Sequence, residues 1–299
     1  MTNIETVLEK SDSILVDGSI LSNGTSVLNY LEFDNPETIY EITEKIRKSQ
    51  LLIHILNTPS ARTIPAVANE KLAYHARVTK ALYYFTRQPN CPPDLLEAIK
   101  ELHKSSFQEY ETADKNSSSI THPAYQTLHK MVLLLSQTLT LKHDTSYAKG
   151  QKPRDDSYNS DTDEQLASTI LWESMIYDHC PVLLSNDRDL ENLLTIVPWL
   201  LGSKHFLPFN EQFRHSIQKN KFEIYRVYEN RTDQLVLPNY TFRFQDNTGF
   251  WLPSSINQQP PTKRPIGPEI SKLTPLPIKQ SITVQYQLYQ YWEKLKTQL

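Results

Sequence analysis

Ser13-Ile14-Leu15-Val16-Asp17-Gly18-Ser19 decides how this chain is read. A short apolar run that ends in an acid, a glycine and a serine describes a buried strand whose C-terminal tip carries a carboxylate. Pro181-Val182-Leu183-Leu184-Ser185-Asn186-Asp187-Arg188-Asp189 repeats the design, and Phe222-Glu223-Ile224-Tyr225-Arg226-Val227-Tyr228 alternates like a strand. Thr63-Ile64-Pro65 reads as a further short strand, broken where Pro65 starts a helix. Helical patterns lie between these runs. They cover residues 21–31, 36–56, 94–110 and 123–142, and the stretch after Pro65 carries Val67, Tyr74, Val78, Leu82 and Phe85 on one stripe. Asp161-Thr162-Asp163-Glu164 opens another helix with capping-box chemistry, with Leu166, Ala167, Ile170 and Leu171 as its buried side; one more helix runs from 188 to about 197. Strands alternating with helices predict an α/β fold with a mostly parallel central sheet flanked by helices. In such sheets ligands sit at the carboxyl ends of the strands, where Asp17 and Asp187 stand.

The remaining stretches connect or extend this unit. Residues 112–122 are polar and serine-rich, and residues 143–160 are charged and aperiodic, as a mobile surface loop would be. Residues 240–252 form a hairpin pattern turning at Asp246-Asn247. Seven prolines in 253–280 indicate an extended linker. Residues 281–299 read as a terminal helix with Ile282, Tyr286, Tyr289, Trp292 and Leu295 on one side. The expected organisation is therefore a catalytic-type domain over 11–230 and a C-terminal extension over 231–299.

Bulk composition excludes several classes. A chain of 299 residues, 38% hydrophobic and 22% charged, can bury a sizeable core as a globular protein. The net charge of −3 means that any nucleic-acid contact comes from local basic patches. No apolar run approaches the ~20 residues that a membrane span needs, and the residues from Met1 to Ser13 lack a secretion signal. Cys91 and Cys180 support neither a disulfide framework nor a zinc knuckle, so an intracellular, cytoplasmic location is expected, with the nucleus open. The six glycines form no GxG pattern, which disfavours a glycine-rich phosphate loop. The histidines lack tight ligand spacing, and no nucleophilic triad emerges from local sequence.

Asp17, Glu70, Asp163 and Asp187 each stand where a strand ends or a helix begins. Singly they read as a turn residue, a solvated helix residue, a first-turn acid and a helix cap. Together they form a candidate pocket. Two carboxylates ~5 Å apart at an effective dielectric of ~20 repel by roughly 3 kcal/mol, so such a pocket stays partly protonated or holds a divalent cation. Oxygen-only ligands favour Mg²⁺ or Mn²⁺ over Zn²⁺.

Four blocks in order carry a family resemblance: Val16-Asp17-Gly18-Ser19, Ile64-Pro65-Ala66-Val67-Ala68-Asn69-Glu70-Lys71-Leu72, Asp163-Glu164-Gln165-Leu166-Ala167-Ser168 and Leu183-Leu184-Ser185-Asn186-Asp187-Arg188-Asp189. In these blocks the chain resembles the PIN-domain family of metal-dependent ribonucleases, over about residues 11–230. The stretch between Glu70 and Asp163 is longer than in compact members. The resemblance implies a Mg²⁺- or Mn²⁺-dependent endoribonuclease with Asp17, Glu70, Asp163 and Asp187 as catalytic acids. Asp17, Asp163 and Asp187 would ligate the cation, with Glu70 completing the cage or orienting the attacking water. Ser19, Asn186 and Asp189 would support those ligands. RNA is the implied partner, with Arg62, Lys71, Arg77 and Arg188 as backbone contacts and Lys80, Lys149, Lys152 and Arg154 as further cations. Lys263, Arg264, Lys272 and Lys279 make the proline-rich tail locally basic. Two alternatives stand beside this: a non-catalytic scaffold of the same fold, and a structure-specific DNA nuclease. The terminal helix either docks back on its own chain, the favoured reading, or binds a protein partner. Oligomerisation stays open.

Overall fold

A computed structural model describes residues 2–20, 36–139, 161–177, 180–187, 190, 193–194, 222–228, 231–235, 240–245, 250–256 and 278–299. The chain divides into two compact units that interleave in sequence. The first comprises Met1–Ser119, Val182–Asn186 and Tyr225–Asp233; the second comprises Ile120–Pro181, Asp187–Ile224 and Gln234–Leu299.

A six-stranded sheet organises the first unit. Its strands are β1 (Thr2–Asn3), β2 (Ile14–Val16), β3 (Ala61–Arg62), β4 (Val182–Leu184), β5 (Glu223–Tyr228) and β6 (Arg231–Leu235), in the order β1-β6-β5-β4-β2-β3. β2 lies parallel to β3, with Ile14 opposite Ala61, and parallel to β4, with Val16 opposite Leu184. β5 continues the parallel arrangement: Glu223 N–H donates to Pro181 O at 3.0 Å and Ser185 N–H to Tyr225 O at 3.1 Å. β1 against β6 forms an antiparallel edge, Thr2 opposite Thr232. The fold is thus α/β with a mostly parallel central sheet flanked by helices.

Among the described residues, four helices accompany this sheet: α1 (Ile4–Lys10), α2 (Pro36–Leu56), α3 (Pro65–Phe85) and α4 (Pro93–Lys115). α2 has the bounds that its apolar period predicts. β3 starts earlier than Thr63, because Pro65 occupies the first turn of α3 and holds Ile64 extended at φ −112°, ψ 156°. α4 runs past the expected residue 110, since Ala113 extends the buried line of Leu95, Ile99, Leu102, Ser106 and Glu109. The segment before residue 11 packs within the first unit. Ile4, Val7 and Leu8 share one face of α1 and are buried with Ile14 and Val16 of β2, Leu52, Ile55 and Leu56 of α2, and Leu184 of β4. A second core joins Ile42 of α2, Val78 and Phe85 of α3, and Leu95, Ile99 and Leu102 of α4.

The second unit holds α5 (Pro123–Leu139), α6 (Thr162–Ile176), α7 (Ile278–Gln298) and a hairpin of β7 (Tyr240–Gln245) and β8 (Phe250–Ile256). α6 is buried on nearly every side, from Leu166 through Ser174. The expected capping box is absent: Asp161 makes no cap hydrogen bond, and its carboxylate is instead taken by Gln165 Nε2 at 2.7 Å and His129 Nε2 at 2.9 Å. The two strands pair antiparallel as the hairpin pattern predicts, with Gln245 opposite Phe250; Asp246 and Asn247 lie outside the described residues. β8 continues beyond the expected residue 252, through Pro253. That proline pairs with Phe242 beside the register shift between Thr241 and Phe242, the irregular position at which a sheet tolerates proline. α7 packs on α5 and is tied to it by Thr127 Oγ1 donating to Gln298 Oε1 at 2.7 Å. Its buried line is Leu288, Trp292 and Leu295, whereas Tyr286 and Tyr289, expected inside, are exposed. No described helix is long and apolar enough to cross a membrane. The expected helix at 21–31, the loop at 143–160, most of the helix at 188–197 and most of the linker at 253–280 lie outside the described residues.

Candidate functional site

Asp17 extends β2 by one residue: its N–H donates to Leu184 O at 3.0 Å, which carries the β2–β4 ladder past Val16. The register Val16 opposite Leu184 sets Ser185 across from Asp17. Asp17 is 4% exposed, and its carboxylate gathers three donors. Ser19 N–H reaches Oδ1 at 3.2 Å, and the hydroxyls of Ser19 and Ser185 both donate to Oδ2, the latter at 2.6 Å. Three donors on one carboxylate solvate its charge in place of water. Asn186 closes the group from behind. Its N–H donates to Ser19 Oγ at 3.2 Å, its Nδ2 to Ile20 O at 2.9 Å and Val227 O at 3.0 Å, and its Oδ1 accepts Val227 N–H at 3.0 Å. One amide thereby joins the tip of β4, the turn after β2, and β5.

The turn itself is a 3₁₀ segment, Gly18–Ile20, set against the first turns of α3. A Cβ at Gly18 would lie 3.4 Å from Val67 Cγ1, 3.4 Å from Lys71 Cε and 3.5 Å from Glu70 Oε2. Glycine therefore lets α3 approach the turn, and brings the exposed Glu70 beside the Asp17 segment.

Lys71 corrects a sequence expectation. It was expected to contact substrate, but it is 3% exposed and its ammonium is spent inside the fold. Nζ donates to Gly18 O at 2.9 Å and pairs with Glu109 Oε1 at 2.7 Å. Ser49 Oγ donates to Glu109 Oε2 at 2.5 Å. α2, α3 and α4 are thereby joined under the turn. The enclosure is felt nearby. Burial, reinforced by the Glu109 charge, pushes the Tyr74 phenol well above its ordinary range, and burial together with Lys48 lowers Lys45.

Asp17, Ser19, Glu70 and Asn186 are thus brought together in the first unit, joined by Ser185, which the sequence reading missed. Asp163, in the first turn of α6, and Asp187 both belong to the second unit and are half-buried. Among the described residues, no three His, Cys, Asp or Glu side chains form a group that could hold a metal ion. Arg62 is half-buried, with Nη1 donating to Ser118 Oγ at 2.9 Å, and Arg77 is half-buried on α3. Arg188 and Asp189 lie outside the described residues.

The second unit assembles a serine, a histidine and an aspartate that sequence spacing conceals. His129 Nδ1 meets Ser168 Oγ at 3.2 Å and its Nε2 meets Asp161 Oδ2 at 2.9 Å. Burial pushes Asp161 upward, but hydrogen bonds from Gln165 and His129 outweigh it and leave the carboxyl below its ordinary range. Ser168 is fully buried inside α6, with its hydroxyl on Glu164 O, so no substrate can reach it. The trio fastens α5 to the start of α6. No family model, no curated protein and no solved structure matches the chain.

Proposed function

We propose that this protein hydrolyses the phosphodiester backbone of RNA at the Asp17 site, with Mg²⁺ or Mn²⁺ as cofactor. One observation carries the reading: a buried carboxylate at the C-terminal tip of a central parallel strand, held by hydroxyls from two adjacent strand tips, with a second carboxylate, Glu70, beside its turn. This is the end of the sheet where α/β folds bind ligands. The donor set is all oxygen, which suits a hard divalent cation. Asp17 and Glu70 would hold the ion, and Asp163 and Asp187 are the further acids of the family resemblance. When bound, such an ion supplies a water that is nucleophilic at neutral pH and takes up charge on the leaving oxygen. The chain's own groups fix the geometry. Ser19 and Ser185 prevent the Asp17 carboxylate from turning, and Asn186 prevents the two strand tips from separating, so the site needs no rearrangement when charge develops.

The exposed side of α3 supports a single-stranded polyanion as substrate. Residues seven apart on a helix nearly superpose, so Arg77 and Tyr84 follow Glu70 in a line, with Lys80 in the adjacent row and Arg87 in the turn just after α3. Tyr83 and Tyr84 are 57% and 55% exposed, and the Arg87 guanidinium lies 3.8 Å over the Tyr83 ring. Cations alternating with exposed rings suit a phosphate backbone and unstacked bases, each stacked base being worth ~1–3 kcal/mol.

A second reading, a non-catalytic scaffold, is favoured by one observation: the Asp17 oxygens already accept three hydrogen bonds within the protein. Cleavage of single-stranded RNA and DNA in Mn²⁺ separates the readings. The native chain is expected to cut RNA, and Asp17→Asn and Glu70→Gln to lower the rate on the order of 10²–10³-fold. Cleavage of DNA alone selects the DNA-nuclease alternative. No cleavage by the native chain, or equal cleavage by Asp17→Asn, removes the proposal.

A further inference from the structure

We infer that His75 and His103 form a site for a borderline divalent transition-metal ion, Zn²⁺ or Cu²⁺, which staples α3 to α4. The two rings come from consecutive helices, with centres 4.7 Å apart and planes inclined by 46°. Two imidazole nitrogens that each lie ~2 Å from a shared cation bring their ring centres to about 5 Å.

Hydrogen bonding fixes which nitrogen of His75 is available. Ser106 Oγ donates its proton to His103 O at 2.9 Å. Toward His75 Nδ1, 3.0 Å away, that hydroxyl acts only as an acceptor, so Nδ1 carries the hydrogen and Nε2 carries the lone pair. Thr79 Oγ1 lies 3.5 Å from Nε2, but its proton goes to His75 O at 2.9 Å. Neither hydroxyl uses the Nε2 lone pair. This is the arrangement of a metal-binding histidine: one ring nitrogen donates to a neighbouring oxygen, which sets the tautomer, and the other faces the ion. Phe107, 42% exposed, lies 5.2 Å from the His75 ring and shields it on one side.

Nitrogen ligands select Zn²⁺, Cu²⁺ or Ni²⁺ over Mg²⁺ and Mn²⁺, so this site is chemically distinct from the oxygen-lined group at Asp17 and does not depend on the proposed nuclease activity. Its position gives it a purpose. His75 stands one turn after Lys71 on α3, and His103 stands on α4 with Glu109, so an ion there would lock the two helices that carry the buried ion pair.

The test titrates the full-length chain with ZnCl₂ by calorimetry and with CuSO₄ by electron paramagnetic resonance, in the native protein and in His75→Gln, His103→Gln and Ser106→Ala. With nine histidines in the chain, the informative quantity is the difference between native and variant. One Zn²⁺ site is expected to weaken at least ~100-fold in either histidine variant while circular dichroism stays unchanged, and Cu²⁺ is expected to show coupling to two nitrogens only in the native chain. Ser106→Ala, which keeps both ligands but releases the tautomer, is expected to weaken binding ~10–100-fold. Matching Zn²⁺ isotherms for the native chain and both histidine variants, or Cu²⁺ coupling that persists in His103→Gln, would overturn the site. Native affinity in Ser106→Ala would overturn the tautomer argument on which it rests.

Discussion

Two polar groups meet at the Gly18 turn and are built on opposite terms. On the Asp17 side, one carboxylate is held by neutral hydroxyls and amides, and Ser19 and Asn186 remain half-exposed. On the Lys71 side, a full ion pair with Glu109 is sealed, each side chain 4% exposed. Sealing two charges is costly, and an isolated buried pair adds little net stability. Its value here is positional. Lys71, Glu109, Ser49 and Gly18 O satisfy one another in a single group that ties α2, α3 and α4 to the turn. The sealed pair sets the geometry of the turn from which the Asp17 carboxylate is held.

The largest effect should come from halving the sealed pair. Lys71→Met strands Glu109 without a countercharge and should cost about 3–5 kcal/mol in urea unfolding, with Glu109→Gln close behind. Replacing both residues by methionine should recover most of that loss. Asp17→Asn keeps the shape and most of the hydrogen bonds, so its stability cost should stay within about 1–2 kcal/mol while the proposed cleavage slows about 10²–10³-fold. If Asp17→Asn unfolds as readily as Lys71→Met, the contrast between a positioning group and a working group fails.

Asn186 gives a smaller and sharper test, because it belongs to the Asp17 group but makes only structural bonds. Asn186→Ala removes three side-chain hydrogen bonds to Ile20 and Val227 and should cost about 2–3 kcal/mol in a thermal melt. Asn186→Asp should be worse. An aspartate can still accept Val227 N–H, but it sets a negative oxygen against the carbonyls of Ile20 and Val227, where the amide donated. A harmless Asn186→Asp would mean that the amide is not the joint between β4, β5 and the turn.

Much of this was legible along the chain. Apolar runs ending in Asp17 and after Leu184, and the period of α2, placed elements whose cause is local. Ser185 was hidden because its role depends on strand order: only the β2–β4 register sets it opposite Asp17. Lys71 was misassigned because charge normally means surface. The corrective signal was present, since Lys71 falls on the same stripe as Val67, Tyr74 and Val78, and Glu109 falls on the stripe of Leu102, Ser106 and Ala113. A cation and an anion on the buried stripes of consecutive helices are a pairing signal that residue-by-residue reading overlooks. α7 shows the reverse error. Tyr286 and Tyr289 looked like core residues, but the line through Leu288, Trp292 and Leu295 took the buried face. The pairing of His75 with His103 joins residues far apart in sequence on two helices, so no local spacing could announce it.

The smallest expected effect concerns that histidine pair. Burial and the charge of His103 hold His75 below its ordinary value of 6.5. As pH falls through 6.5, the unfolded chain takes up this proton before the folded chain does, so the stability linked to His75 is complete above 6.5 and declines until the lower folded value is passed. Asp161, held below its ordinary 3.8, gives the same sign in a separate acidic window, so the two do not overlap. Between pH 8 and pH 5 the midpoint of the native chain should therefore fall slightly more than that of His75→Gln. Added ZnCl₂ should steepen the fall in the native chain alone, because proton and metal compete for the same Nε2. Parallel pH profiles with and without zinc would show that this nitrogen is not the one exposed to the ion.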